Sequence, residues 1–194
     1  KYISKETGKR VLPVYWMASE DHDWEEINHT WWFNVKTEWD TIRKGGPLGR
    51  AKLEGINNAL EHLKGQLRIE SLPFESLLWD SLRNKDTLSD FTAKLVHLIF
   101  PEEPILVLDP DDQELKSEFT EVMKSEIQTS FSYSAVTKRS AELESEGYHA
   151  QIHPREINLF WIDDQNRSRI VKTNIGFTTL DKRHQWSENE ILKE

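Results

Sequence analysis

The stretch "VLPVYWMASEDHDWEEIN", residues 11–28, decides the fold and raises a chemical question. Its first eight residues form a short apolar run rich in β-branched and aromatic side chains, the pattern of a buried strand. Pro13 sits early, where a strand tolerates it. The run leads into Glu20-Asp21-His22-Asp23. Four consecutive polar side chains at the end of a buried segment are costly unless something binds there. A second run of the same kind, "PILVLD" at 104–109, leads into Pro110-Asp111-Asp112. Beyond it, Leu115, Phe119, Val122, Met123 and Ile127 fall at helical spacing, with Asp111 and Glu114 as a capping box. Strand, Asp-Pro turn and capped helix make a β–α unit. Two such units predict a parallel sheet in an α/β layer.

Between the two runs the periodicity is helical. "GINNALEHLKGQL" (55–67) places Ile56, Leu60, Leu63 and Leu67 on one face. "PFESLLWDSL" (73–82) starts with Pro73 at a favoured first-turn position. "TLSDFTAKLVHLIF" (87–100) carries Leu88, Phe91, Leu95, Leu98 and Ile99 on one side. The block is longer than a usual crossover, which marks it as an insertion. The expected organisation is therefore residues 1–44 and 102–194 as two parts of one core, with 45–101 as a helical connecting insertion. Further on, "SAVTKRSAELESEG" (134–147) reads as a helix stopped at Gly147. "INLFWID" and "SRIVK" read as a hairpin across the turn "DDQN" at 163–166.

Composition narrows the function. The chain has 194 residues, 37% apolar and 30% charged, an ordinary globular balance. Eight tryptophans argue for a real core or an aromatic-lined cleft. The net charge is −9, from 25 basic and 34 acidic residues, with no basic stripe, which disfavours nucleic acid as a partner. No apolar run approaches the roughly 18 residues of a membrane span. There are no cysteines, hence no disulfides and no thiol nucleophile. With no signal peptide visible, the expected location is cytoplasmic. Both ends, "KYISKETGKR" and "SENEILKE", read as cut from something longer.

In open parallel sheets, ligands bind beyond the carboxyl ends of the strands. Glu20–Asp23 and Asp109–Asp112 both follow strands at that end, so the two acidic clusters are expected to share one mouth. Such a mouth suits an amine, a sugar hydroxyl or a metal. It holds bare phosphates poorly, because its own carboxylates compete for the anion position. Three readings of Glu20-Asp21-His22-Asp23 stand side by side. One is a metal site, as in a metal-dependent hydrolase. One is acid/base catalysis by His22 oriented by Asp21 or Asp23. The last is a strand end whose acids cap the next helix. "GGPLGR" (45–50) is either a backbone-donor loop, with Arg50 reaching an anion, or a tight turn; it lacks the spacing and lysine of a P-loop. Asn158, within a strand pattern, lines a pocket or faces solvent. Arg167 and Arg169 share a strand face and either clamp a carboxylate or stand as surface charges.

These segments together carry a family resemblance. "PVYWMASEDHDWEEIN", "GPLGR", "LIFPEEPILVLDPDDQELKSEF", "GYHAQIHPREINLFWIDDQNRSRI" and "WSENEILKE" resemble, in order and spacing, the cysteine-adding ligases of bacillithiol synthesis. The resemblance implies a Rossmann-like core section with a helical insertion and a C-terminal β-hairpin. It implies a longer parent, dimeric through a coiled coil absent from this chain. It also implies joining of cysteine to the amine of glucosaminyl malate, with ATP as the activating cofactor. The alternatives are a metal-dependent hydrolase and a non-catalytic binding module. On the matched motifs, His22, Asp21 and Asp23 are the expected catalytic residues. Glu20, Asn28, Arg50, Asn158 and Arg169 are expected to bind substrates, and Gly46, Gly49 and Asp109 the nucleotide. No metal is expected.

Overall fold

A computed structural model describes residues 2–32, 34–41, 45–67, 76, 80, 82 and 86–193. The chain divides into two compact units, Lys1–Asp112 and Gln113–Glu194.

The first unit opens with helix α1 (Tyr2–Thr7) and strand β1 (Val14–Trp16). A short helix α2 (Trp24–Ile27) and an antiparallel hairpin of β2 (His29–Trp32) and β3 (Val35–Glu38) follow. A 3-10 turn at Leu48–Arg50 leads to helix α3 (Ile56–Leu67). Helix α4 (Leu88–Ile99) starts at Thr87, whose hydroxyl accepts the Asp90 amide, and precedes strand β4 (Leu106–Leu108). Strands β1 and β4 pair in parallel, Val14 against Leu106 and Trp16 against Leu108, as the two apolar runs predict. Most of the segment 73–82 read as helical lies outside the described residues.

The core of this unit is not the parallel pair. It is Trp39, Ile56 and Ala59, flanked by Trp24, Leu53, Leu82, Leu88 and Phe91. The amphipathic faces of α3 and α4 therefore meet the hairpin and the segment after it. Trp39 crosses Trp24 edge-on, with ring centroids 4.8 Å apart, and donates its indole N–H to the Glu54 carbonyl at 2.7 Å. The strand expected to be buried is open instead: Val14, Tyr15 and Trp16 are 52%, 42% and 55% exposed. A parallel sheet needs cover on both faces. Among the described residues β1 pairs with β4 alone.

The second unit starts with α5 (Gln113–Ser117), α6 (Thr120–Thr129) and α7 (Phe131–Ser145). The single helix expected after Pro110 is thus broken. Phe119 leaves helical backbone, at φ −97° and ψ 3°, between α5 and α6. Of the five residues spaced for that helix, only Ile127 is buried. Helix α7 ends just before Gly147, whose φ of +87° suits the stop read there. Strands β5 (Phe160–Ile162), β6 (Arg167–Thr173), β7 (Gly176–Thr179) and β8 (Gln185–Trp186) then form an antiparallel meander in that order. Helix α8 (Glu188–Ile191) closes the unit on a Ser187–Glu190 capping box. Ile127, Ile157, Ile170 and Phe177 make the core, with Trp161 and Trp186 packed against it.

Glu126 is the polar anchor of this unit. It is 3% exposed. Its carboxylate accepts the Ser132 hydroxyl at 2.5 Å, the Ser132 amide at 3.0 Å and the Asn158 amide at 2.9 Å. Burial pushes its pKa up, but the bonds from Ser132 and Asn158 outweigh burial and hold the carboxyl below its usual range. The ionised group ties the end of α6 to the start of α7 and to the segment leading into β5.

Candidate functional site

The parallel register of β1 and β4 brings the chain after Trp16 and the chain after Leu108 to the same end of the sheet. The ladder runs one step further, with the Met17 amide donating to the Leu108 carbonyl at 3.0 Å. Past that point the backbone of residues 18–21 turns, the Asp21 amide returning to the Ala18 carbonyl. Glu20–Asp23 is therefore a turn leading into α2 rather than a strand end with alternating faces. His22 and Asp23 are exposed, and Glu20 and Asp21 half-buried. The desolvation cost expected of four buried polar residues does not arise.

Ser19 is buried and locks the two segments together: its hydroxyl donates to Asp109 Oδ1 at 2.5 Å. The same oxygen accepts the Asp111 amide at 2.9 Å. Asp109 thus fixes both strand ends. The "GGPLGR" loop is drawn into the same place. The Gly49 amide donates to the Ser19 carbonyl at 2.8 Å, and the Leu48 amide to the Asp21 carbonyl at 2.6 Å. Gly45 and Gly46 take φ of +97° and +79°, a left-handed pair that other residues rarely adopt, and this turns the chain inward. Gly49 sits so close that a Cβ would fall on the side chains of Ser19 and Ser89. Arg50 then forks onto Asp111, Nε to Oδ2 at 2.6 Å and Nη2 to Oδ1 at 3.0 Å. Three segments far apart in sequence, 18–23, 46–50 and 109–111, converge at the carboxyl end of one parallel pair.

Within this mouth, His22 Nδ1 lies 3.3 Å from Asp21 Oδ1, and the His22 amide donates to the same oxygen at 2.7 Å. Both side chains are about half exposed, at 53% and 45%. Asp23 stands at the N-cap of α2 without a capping bond from its side chain. Asn28 lies at the far end of α2, its Oδ1 2.9 Å from His29 Nδ1 and its carbonyl accepting the Trp39 amide. Arg50 is joined to Asp111, so an incoming anion must compete with a carboxylate. With the Leu48 and Gly49 amides engaged by the protein itself, the loop presents neither as a phosphate donor. Gly49 is required here for close approach, and Gly46 for the turn. Among the described residues no three His, Asp or Glu side chains gather as metal ligands would.

The remaining expected residues lie in the second unit. Asn158 is exposed, and its amide is bound to Glu126. Arg167 and Arg169 sit on one face of β6, opposite Ile162 and Phe160. Sequence reasoning missed Ser19, and it read Asp111 as a helix cap rather than as the partner of Arg50. A serine immediately before an acidic cluster was the available signal, but nothing in the sequence names its partner 90 residues away.

Comparison of the sequence with known proteins places the chain in a family. Over residues 1–194 the chain matches the family described as bacillithiol biosynthesis BshC, N-terminal Rossmann-like domain. It is 37% identical over 191 residues to a Cytophaga hutchinsonii protein named "Putative cysteine ligase BshC", covering 98% of this chain and 35% of the relative. A Flavobacterium johnsoniae protein of the same name is 34% identical over 193 residues, covering 98% of this chain and 36% of the relative. A Staphylococcus haemolyticus one is 27% identical over 206 residues, covering 98% and 38%. The chain spans a little over a third of the length of these curated relatives. With a parallel pair that gathers its polar loops at the carboxyl end, and a family match along its whole length, the chain belongs to the BshC family as its N-terminal Rossmann-like domain.

Proposed function

We propose that this chain carries part of the active site of a ligase that joins cysteine to the amine of glucosaminyl malate through an amide bond. The observation that carries the proposal is the convergence of 18–23, 46–50 and 109–111 at the carboxyl end of β1 and β4, where open α/β sheets bind small molecules. The names of the relatives support the reaction class.

An amide forms when a neutral amine attacks an activated acyl carbon, gives up a proton and expels the activating phosphate or adenylate group. The activating reactant proposed here is ATP, on chemical grounds: a free carboxylate has no leaving group. His22 is suited to take the amine proton. With Nδ1–H directed at Asp21, Nε2 is left as the acceptor, and the Asp21 carboxylate stabilises the imidazolium that results. The 3.3 Å separation is long for a catalytic hydrogen bond, and such bonds commonly tighten when substrate binds. Glu20 and Asp23 supply negative charge for an ammonium or sugar hydroxyls. Asp109, Gly46 and Gly49 hold the loops in place; Asn158 and Arg169, in the second unit, are proposed as substrate-binding residues of the parent. The parent is proposed to act as a cytoplasmic homodimer joined through a coiled coil outside this chain.

The test is mass spectrometry of the full-length protein with cysteine, glucosaminyl malate and ATP, beside its His22→Ala variant. A new thiol-containing amide from the parent alone supports the ligase and the base. Product from both keeps the ligase and removes His22 from the chemistry. Product from neither refutes the reaction.

A further inference from the structure

A set of arginines gathers around Phe160. On β6, Arg167 and Arg169 point to one face, about 7 Å apart along the strand. Phe160 is directly opposite Arg169 and diagonal to Arg167. The Arg167 guanidinium lies 3.8 Å from the Phe160 ring centroid, and that of Arg155 lies 5.8 Å from the same centroid. The Nε atoms of Arg167 and Arg169 are closed off from solvent and meet no acceptor among the described residues.

The chain has an excess of carboxylates, and several of its other cations meet them. Asp111 meets Arg50, Glu142 meets Arg139, Asp181 meets Arg183 and Glu38 meets Lys36. Among the described residues no carboxylate reaches Arg155, Arg167 or Arg169. Like charges held side by side are unfavourable. The Phe160 ring face offsets part of this through cation–π attraction, but it leaves the hydrogen-bonding edges of the guanidinium groups without an anion. A guanidinium presents a planar fork of donors that matches carboxylate and phosphate oxygens.

We propose that Arg155, Arg167 and Arg169, arrayed around Phe160, form a subsite for a ligand bearing two or more oxyanion groups. The spacing of Arg167 and Arg169 fits two charged groups a few bonds apart, as in a dicarboxylate or a phosphate chain. The choice of ligand rests on the amide-forming reading above, which brings one reactant of each kind: a malate moiety with two carboxylates, and a nucleotide with phosphates.

The experiment is isothermal titration of the full-length protein at low ionic strength with two probes, L-malate and inorganic tripolyphosphate. The variants are Arg167→Gln/Arg169→Gln, Arg155→Gln, and the conservative Arg169→Lys, each checked for folding by circular dichroism. Arg155 is exposed, so its substitution keeps the test alive if the strand variant fails to fold. At least one probe is expected to bind. Its affinity is expected to fall tenfold or more in the double variant and about threefold in Arg155→Gln. Arg169→Lys keeps the charge but loses the fork, and is expected to fall between parent and double variant. Loss confined to malate assigns the subsite to carboxylates; loss confined to tripolyphosphate assigns it to phosphates. Binding of neither probe, or equal binding by folded variants and parent, overturns the inference. Turnover is measured separately: variants that bind anions normally in an active ligase refute only the subsite. Arginine-dependent anion binding in a protein with no ligase activity refutes only the reaction.

Discussion

Gly49→Ala tests whether the 46–50 loop is held against the strand end as closely as the structure has it. The backbone of Gly49 is not in the left-handed region, so alanine is tolerated by its dihedral angles. The penalty is steric. The new methyl falls on the Ser19 Cβ and the Ser89 hydroxyl, with the Ser19 Cα only 3.1 Å away. Two responses are open. If the loop stays, overpacking costs about 1–3 kcal/mol. If it lifts, the Gly49–Ser19 and Leu48–Asp21 hydrogen bonds are lost, at about 0.5–1.5 kcal/mol each. These are alternatives rather than a sum, and both give about 1–3 kcal/mol. Gly65→Ala is the matched control. Gly65 lies within α3 with nothing within 4 Å of its added Cβ, so alanine there should stabilise by about 0.5–1 kcal/mol. Urea unfolding followed by circular dichroism compares the two. Hydrogen exchange at residues 48 and 49 tells a lifted loop from a strained one. Adding Ser89→Ala to Gly49→Ala should recover part of the loss, because it removes one of the atoms struck. A Gly49→Ala variant within about 0.5 kcal/mol of the parent, with slow exchange at both amides, refutes the close approach.

Three further outcomes follow from the same contacts. Glu126→Gln keeps one acceptor oxygen but turns an NH2 group toward a donor, the Ser132 amide, and should destabilise by about 1–2 kcal/mol at neutral pH. Because the Glu126 pKa is lowered by folding, its contribution is present above the unfolded value of about 4.3 and is lost as pH falls through the folded value. The variant should therefore lose less stability than the parent below that range, read from acid titrations of the unfolding midpoint. Arg50→Ala leaves the largely buried Asp111 carboxylate without its fork, and should cost about 1–2 kcal/mol in urea unfolding and speed exchange at the Asp111 amide. Trp39→Phe removes the indole bond to Glu54 while keeping most of the ring, and should cost about 1–2 kcal/mol, seen as a lower urea midpoint.

The parallel pair was legible because its two strands are short continuous apolar runs, each followed by acids and a helical pattern. Parallel strands have few other signatures, and these suffice. The β2–β3 hairpin was not legible. Its four-residue strands are joined without an Asn-Gly or Asp-Gly pair, so the strongest short-range hairpin signal is missing. The break at Phe119 was hidden for another reason. The apolar spacing from Leu115 to Ile127 continues through it, and neither glycine nor proline marks it. Burial was misjudged at β1 because an apolar run reports what a strand prefers to contact. It does not report whether the covering layer belongs to the same stretch of chain.

The site was legible as a place and not as a set of roles. The rule that ligands gather at the carboxyl ends of parallel strands puts Glu20–Asp23 and Asp109–Asp112 at one mouth from pattern alone. It does not separate an acid that binds a ligand from an acid that fixes a loop, since the two are the same residue type in the same position. Only three-dimensional pairing makes the distinction. Asp109 meets Ser19 across 90 residues, and Asp111 meets Arg50 across 61. Neither separation leaves a trace in a single sequence. Those pairings hold Asp109 and Asp111 in structural duty and leave His22 and Asp23 exposed at the turn. His22 and Asp23 are therefore the acidic-turn residues that the mouth leaves exposed. Substitution at Asp109 should loosen the mouth, whereas substitution at His22 should leave it standing, as hydrogen exchange at residues 48 and 49 would show.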